Sequence, residues 1–295
     1  MRARRGLRAL LAAATATAAA AFAASPAAAV NSYNAQPAPE RTEVGALIVQ
    51  WDRDANPATP DVVDWYCSGT MIDTDAFLTA AHCTTDWPAG ARFYVSLAQD
   101  VQGGLDAANG QGLPPAQVAA AVAVEGTAHT SPDYPGTSAD AHDIAVVTFS
   151  PTQAAALAAR WPFTPAALPT AGQLTALGSR ALAAAPWLVV GYGTEEAQRE
   201  PGGHLHPGGG VRMKATLGFD ALNKTWVRLA MNESRGFGGA CYGDSGGPNF
   251  VTVGGRMVLA STTITGDVPC YATNVTYRLD APSARGFLAQ FVALP

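Results

Sequence analysis

Apolar and polar positions along the chain alternate in short bursts, and glycine, proline, asparagine or aspartate interrupts nearly every burst. Such punctuation reads as strands joined by tight turns. The first run is Val44 to Trp51. Trp65 to Ile72 and Ala76 to His82 follow as two strands joined at Asp73-Thr-Asp. From Arg92 to Val124 strand-like pieces are separated by Gly, Asn and Pro, and Gly103 to Pro115 has loop composition. Ala141 to Phe149, Trp187 to Thr194, Val211 to Thr216, Thr225 to Met231, Asn249 to Val253 and Met257 to Thr265 complete the strand pattern. Helical spacing is confined to two places. Pro151 to Arg160 is rich in good helix formers behind a proline start. At the end, Asp280-Ala-Pro-Ser opens a helix with Phe287, Leu288, Phe291 and Val292 on one face. Many short strands, frequent turns and no fixed-period repeat predict an all-β sandwich or barrel architecture, with room for two barrels of similar size.

Composition adds a compartment. Arg2, Arg4, Arg5 and Arg8 precede an Ala/Leu-rich run, and Ser25-Pro-Ala-Ala-Ala29 has the small residues of a cleavage site. Residues 1–29 therefore read as a secretory signal, too short and too Ala-rich in its apolar run for a membrane anchor. Residues 30–43 are polar and proline-broken, an exposed arm or short pro-segment, and 44–295 form the expected folded domain. Without the signal, 14 basic residues face 23 acidic ones, a net charge of −9. That balance argues against nucleic acid or an anionic membrane as partner.

Cys67, Cys83, Cys241 and Cys270 are an even count in a chain expected to be exported, which favours disulfides over metal ligation. Three connectivities are open, and the sequence-local one is the simplest. His204 and His206 form a His-x-His pair on a Gly/Pro-rich loop. With no third ligand nearby in sequence, the pair reads as a solvated loop, and no metal or cofactor is expected.

The chemistry concentrates between Gly239 and Pro248, Gly-Ala-Cys-Tyr-Gly-Asp-Ser-Gly-Gly-Pro. Glycines around Ser245 allow a sharp turn that aims the hydroxyl outward and turns the amides of Gly243 and Ser245 toward a common point. A serine hydroxyl needs a base, and the base needs an acid to fix its tautomer. Here the candidates fall in the order His82, Asp143, Ser245. All five histidines precede Ser245, which excludes the α/β-hydrolase arrangement, where the histidine follows the serine.

Leu78-Thr-Ala-Ala-His-Cys83, Asp143-Ile-Ala-Val-Val147 and Gly243-Asp-Ser-Gly-Gly-Pro248 together resemble the three signature blocks of the trypsin/chymotrypsin family of serine proteases. The likeness extends from about Val44 to Val292. It implies two six-stranded antiparallel β-barrels with the active site in the cleft between them and a C-terminal helix. It implies Ser245 as nucleophile, His82 as base and acid, Asp143 as its orienter, and the Gly243 and Ser245 amides as oxyanion hole. Bridges Cys67–Cys83 and Cys241–Cys270 match two of the family's. Protein or peptide substrates, protein inhibitors and a monomeric state are the expected associations.

Departures from the family pattern bear on specificity. The position that carries an acid in Lys/Arg-selective relatives is Gly239 here, followed by Ala240. The usual Ser-Trp-Gly of the substrate-pairing segment reads Ser261-Thr262-Thr263. An apolar or small P1 residue is therefore expected, with Asp267 as the one acid that would support a basic preference instead. The family also pairs a new N-terminal amine with the acid before the nucleophile, here Asp244. Removal of residues 1–29 would expose Val30 for that role. A catalytically silent, protease-like binding module is the competing reading, disfavoured because all three triad residues are present.

Overall fold

The computed structural model describes residues 30–56, 58–200 and 203–295, so the expected signal at 1–29 lies outside the described residues. The first barrel is built from β2 (Val44–Trp51), β3 (Val62–Met71), β4 (Ala76–Thr79), β5 (Arg92–Ser96), β6 (Val124–Thr130) and β7 (Ala145–Thr148), after a two-residue strand β1 (Gln36–Pro37). These six close antiparallel in the order β2-β3-β4-β7-β6-β5, with β5 returning to β2. The second barrel uses β8 (Trp187–Gly191), β11 (Met213–Leu222), β12 (Trp226–Ala230), β13 (Pro248–Val253), β14 (Arg256–Gly266) and β15 (Thr273–Arg278). It closes because β8 pairs with both β11 and β13. A small hairpin, β9 (Gln198–Glu200) with β10 (Gly203–Leu205), projects from the loop between β8 and β11.

The apolar run of β2 is continuous because both of its faces are covered. Leu47 points into the interior of its own barrel with Phe77, Val95 and Val147. Ala46 and Ile48 point the other way, into a second cluster that includes helical residues. In β8 the alternation does the same work for the second barrel. Trp187 and Val189 fill its interior, while Val190 and Tyr192 join the cluster shared with the first barrel and the C-terminal helix.

Helices are more numerous than the pattern predicts. Helix α3 (Pro151–Arg160) forms where expected, with a reciprocal capping box between Ser150 and Gln153. The C-terminal α5 (Pro282–Leu288) also forms. Between β5 and β6, however, the chain makes a helical hairpin, α1 (Val101–Gly110) and α2 (Pro115–Val122), over the stretch expected to be strand pieces and loop. The Asp100 carboxylate caps α1 by accepting from the Gly103 amide. Val101, Leu105 and Ala108 then bury one face against Val118, Ala119 and Val122 of α2. A further helix, α4 (Gln173–Ala184), breaks at Gly178 and packs Leu174 and Leu182 under the second barrel.

The segment 30–43, expected as an exposed arm or short pro-segment, is anchored on the second barrel at some residues and exposed at others, Ser32, Asn34, Gln36, Pro37, Pro39 and Glu40 among them. Val30, Asn31 and Ala38 are buried, and β1 pairs with β11. Its polar groups find partners in the second barrel: the Asn31 amide donates to Gly239 O, and Ser32 donates its N–H to Glu196.

Arg212 ties the two barrels together. Its buried guanidinium donates to Ala38 O, Val44 O and Leu97 O and to the Tyr192 hydroxyl. A buried cation without acceptors would be costly, so these four acceptors lock the arm and both barrels into one orientation.

Candidate active site

Each barrel contributes one half of the cleft. On the first, β4 runs straight into a single 3-10 turn, Ala81–Cys83, that carries His82. The bridge Cys67–Cys83 fastens this turn to β3. Asp143 precedes β7, the neighbour of β4, and is almost wholly buried. Its Oδ1 accepts from the His82 amide at 3.0 Å, and its Oδ2 lies 2.8 Å from His82 Nδ1. A carboxylate there makes Nδ1 the protonated nitrogen and leaves Nε2 as the basic one.

The second barrel offers Ser245 on the turn before β13. Gly243 has φ +94, and a Cβ on it would stand 2.4 Å from the Trp65 ring, so only glycine fits. Within Gly243 to Gly247, three amides are committed: Asp244 N to Cys241 O, Gly246 N to Thr263 O and Gly247 N to Asp244 O. The amides of Gly243 and Ser245 have no acceptor among the described residues. Ser245 and His82 line the same cleft, about 560 Å³ in volume. No hydrogen bond joins them among the described residues, and such bonds commonly tighten only on substrate binding.

Ser68, which the sequence reading did not single out, fixes one half against the other. It lies in β3 beside Cys67 and is fully buried. Its amide donates to Ser245 O at 2.9 Å, its hydroxyl donates to Gly243 O at 2.8 Å, and the same hydroxyl accepts from the Tyr192 amide at 2.9 Å. The serine turn is thus registered against the strand next to the histidine turn.

Asp244 points away from the cleft into the second barrel. Its carboxylate accepts from Gly193 N and Cys241 N, both at 2.8 Å, and no cation faces it among the described residues. Burial pushes its carboxyl up to about 7, against the two backbone bonds that favour ionisation. Val30 is fully buried, and its N–H donates to the carbonyl of Gly193, the residue whose amide bonds Asp244.

The specificity candidates divide. Ala240 and Thr263 line the cleft. Gly239 does not: a Cβ there would fall 2.0 Å from Met231 Sδ, so the buried Met231 occupies the space a side chain would take. Ser261 is also misplaced by the sequence reading. It is fully buried and accepts from Thr276 Oγ1 at 2.7 Å. The reason is the length of β14, which continues to Gly266, so only its last residues, Thr263 to Gly266, reach the cleft. Asp267 borders the cleft, but its carboxylate accepts from the amides of Tyr271, Ala272 and Thr273 within its own turn. Asn274, absent from the sequence candidates, lines the cleft opposite Gly266 in β15.

The bridge Cys241–Cys270 forms at the cleft wall. His206 lies against it, 3.2 Å from Cys241 Sγ, with its ring edge-on to Tyr242. The His204 side chain lies outside the described residues. Among the described residues, the two His/Cys groupings close enough to hold a metal both consist of a histidine and cysteines already joined in disulfides, which leaves no thiolate to ligate.

A protein-family model described as Trypsin matches residues 55–280, the greater part of the chain. No curated protein matches the chain at a significant level.

Proposed function

Because the chain belongs to the trypsin family, we propose that it is a secreted serine endopeptidase that hydrolyses peptide bonds through an acyl-enzyme. One observation carries the reading. His82, paired with the buried Asp143, and Ser245 line one cleft, beside two backbone amides that have no acceptor among the described residues. Ser245 Oγ attacks the scissile carbonyl carbon while His82 Nε2 takes its proton. The Gly243 and Ser245 amides receive the oxygen as it becomes negative. Asp143 holds the charged imidazole in place, and His82 then gives the proton to the leaving amine. Water repeats the sequence to release the acid.

Secretion rests on the composition of residues 1–29 and on the two disulfides, which persist in oxidising compartments. Protein substrates follow from the family. A neutral P1 side chain fits better than lysine or arginine, since Gly239 brings no charge and Asp267 is occupied by its own turn.

The working N-terminus is Val30. A β-branched residue at φ 69 is held in a region that valine rarely occupies. Cutting before it removes that restraint and frees an ammonium beside Asp244, the buried carboxylate that has no cation. Residues 1–29 are thus read as the signal and 30–43 as a segment retained in the active enzyme.

The test is peptide hydrolysis by the purified secreted protein. Ser245→Ala is expected to abolish turnover with folding and secretion intact. Turnover near the parent level in that variant would overturn the nucleophile assignment, and a folded parent that cuts no peptide would favour a silent binding module.

A further inference from the structure

The cleft wall beside Ser245 contains a buried polar network that the catalytic reading does not use. Asn274 and Asn249 are almost fully buried side by side under the end of β14. Asn274 Nδ2 donates to Asn249 Oδ1 at 3.0 Å and to Thr263 Oγ1 at 3.3 Å, and Asn249 Nδ2 donates to Thr263 Oγ1 at 3.0 Å. Two donors therefore occupy both acceptor positions of the Thr263 hydroxyl. Its own proton has no acceptor among the described residues. Asn274 Oδ1 has no partner either. Both residues line the cleft that holds Ser245 and His82.

A buried amide oxygen without a donor is destabilising, and a buried hydroxyl proton without an acceptor adds to that. Apolar side chains of similar size would fill the same space without either cost, so the pair calls for a ligand. The geometry points to a P1 side chain ending in a primary carboxamide, glutamine or asparagine, as the group this wall is built to bind. Its N–H donates to Asn274 Oδ1, and its carbonyl accepts from the Thr263 hydroxyl. A carboxylate would meet the Asn274 oxygen as a second acceptor. An ammonium or guanidinium would find no counter-charge, since the Asp267 carboxylate is taken up by three amides of its own turn. An aliphatic P1 would leave both polar atoms unpaired. A carboxamide P1 residue is thus an alternative to the apolar or small one expected from Gly239. Turning the two asparagine amides end for end exchanges donor and acceptor at this wall, and a carboxamide, which carries one of each, matches that arrangement by rotating in turn.

The inference rests on the protease reading, and one experiment separates their failures. The secreted protein is assayed with peptides that differ only at P1: Gln, Asn, Glu, Leu, Ala and Lys. A fluorophosphonate titration of Ser245 runs alongside. The expected result is highest kcat/KM for Gln or Asn, at least about tenfold above Leu, because binding the apolar side chain leaves two buried polar groups unpaired. In Asn274→Leu and in Thr263→Val the Gln/Leu ratio is expected to fall by about tenfold or more. A ratio taken on one preparation does not depend on how much of it folded. If Ser245 labels and peptides are cut but Leu, Glu or Lys leads, or if neither variant changes the ratio, the carboxamide inference is wrong and the protease reading stands. If Ser245 does not label and no peptide is cut, both are wrong.

Discussion

The two barrels meet at one cleft but are finished to different degrees. On the first, the catalytic groups are satisfied within the protein: Asp143 accepts twice from His82, and the histidine turn is fastened by a disulfide. On the second, the amides of Gly243 and Ser245 and the oxygen of Asn274 stand without partners among the described residues, and the Asp244 carboxylate, though it accepts from two amides, faces no cation there. In the proposed function the first barrel holds a preset base, and the second is completed by what arrives, an N-terminal ammonium at one side and a substrate at the other. Unpaired groups in a native protein cost stability, and they persist where binding uses them.

The comparison is sharpest in rates. Ser245→Ala on the second barrel is expected to lower kcat by about 10⁴–10⁶, and Asp143→Asn on the first by about 10⁴, because the asparagine favours the wrong histidine tautomer. Both should unfold at denaturant concentrations close to the parent's. If Asp143→Asn left kcat within a factor of about three, His82 would not depend on it.

A smaller effect separates the two barrels by pH. The Asp244 carboxyl is pushed up to about 7 from an ordinary 3.8 by burial. Between those values the native chain keeps a proton that the unfolded chain has released. In a form that retains a residue before Val30, the contribution of Asp244 to stability should therefore be fully present below about pH 4 and be lost as pH rises toward 7. The form beginning at Val30 carries the compensating ammonium and should not show that loss. Urea midpoints of the two forms between pH 4 and 7 provide the check, and parallel curves would remove Val30 as the partner of Asp244.

The smallest predicted effect lies at the seam. Ser68→Ala removes a hydroxyl that bonds Gly243 O and the Tyr192 amide in a fully buried position. A loss of about 1–3 kcal/mol in denaturant unfolding is expected, with a lower kcat as the serine turn loosens. An unchanged midpoint would show that the backbone bond from Ser68 N to Ser245 O suffices.

Much of this was readable in the sequence, for identifiable reasons. The catalytic candidates lie in short local motifs whose glycines and flanking cysteines carry their own geometry. The strands are punctuated by turn residues, so both barrels were visible as a class. The helical hairpin α1–α2 was not, because Gly103, Gly104 and Gly110 give it the composition of a loop. Its stability comes from the Asp100 cap and from burial against α2. Polarity likewise misled at residues 30–43, whose partners Gly239 and Glu196 lie far away in sequence. Ser261 lies off the cleft lining because register along β14 is set by pairing with β13 and β15, including irregularities at Asn249/Phe250 and Thr263/Thr265, which the sequence does not display. Ser68 and Asn274 act only through cross-barrel or cross-strand contacts, and no local motif marks them.

The most direct test of the central claim is the site and stoichiometry of covalent labelling. Protein prepared to begin at Val30 is treated with a fluorophosphonate, digested and mapped by mass spectrometry. One adduct per chain, on Ser245, with parallel loss of peptide hydrolysis, is the predicted result. An adduct on another residue, or full hydrolysis with Ser245 unmodified, would contradict it.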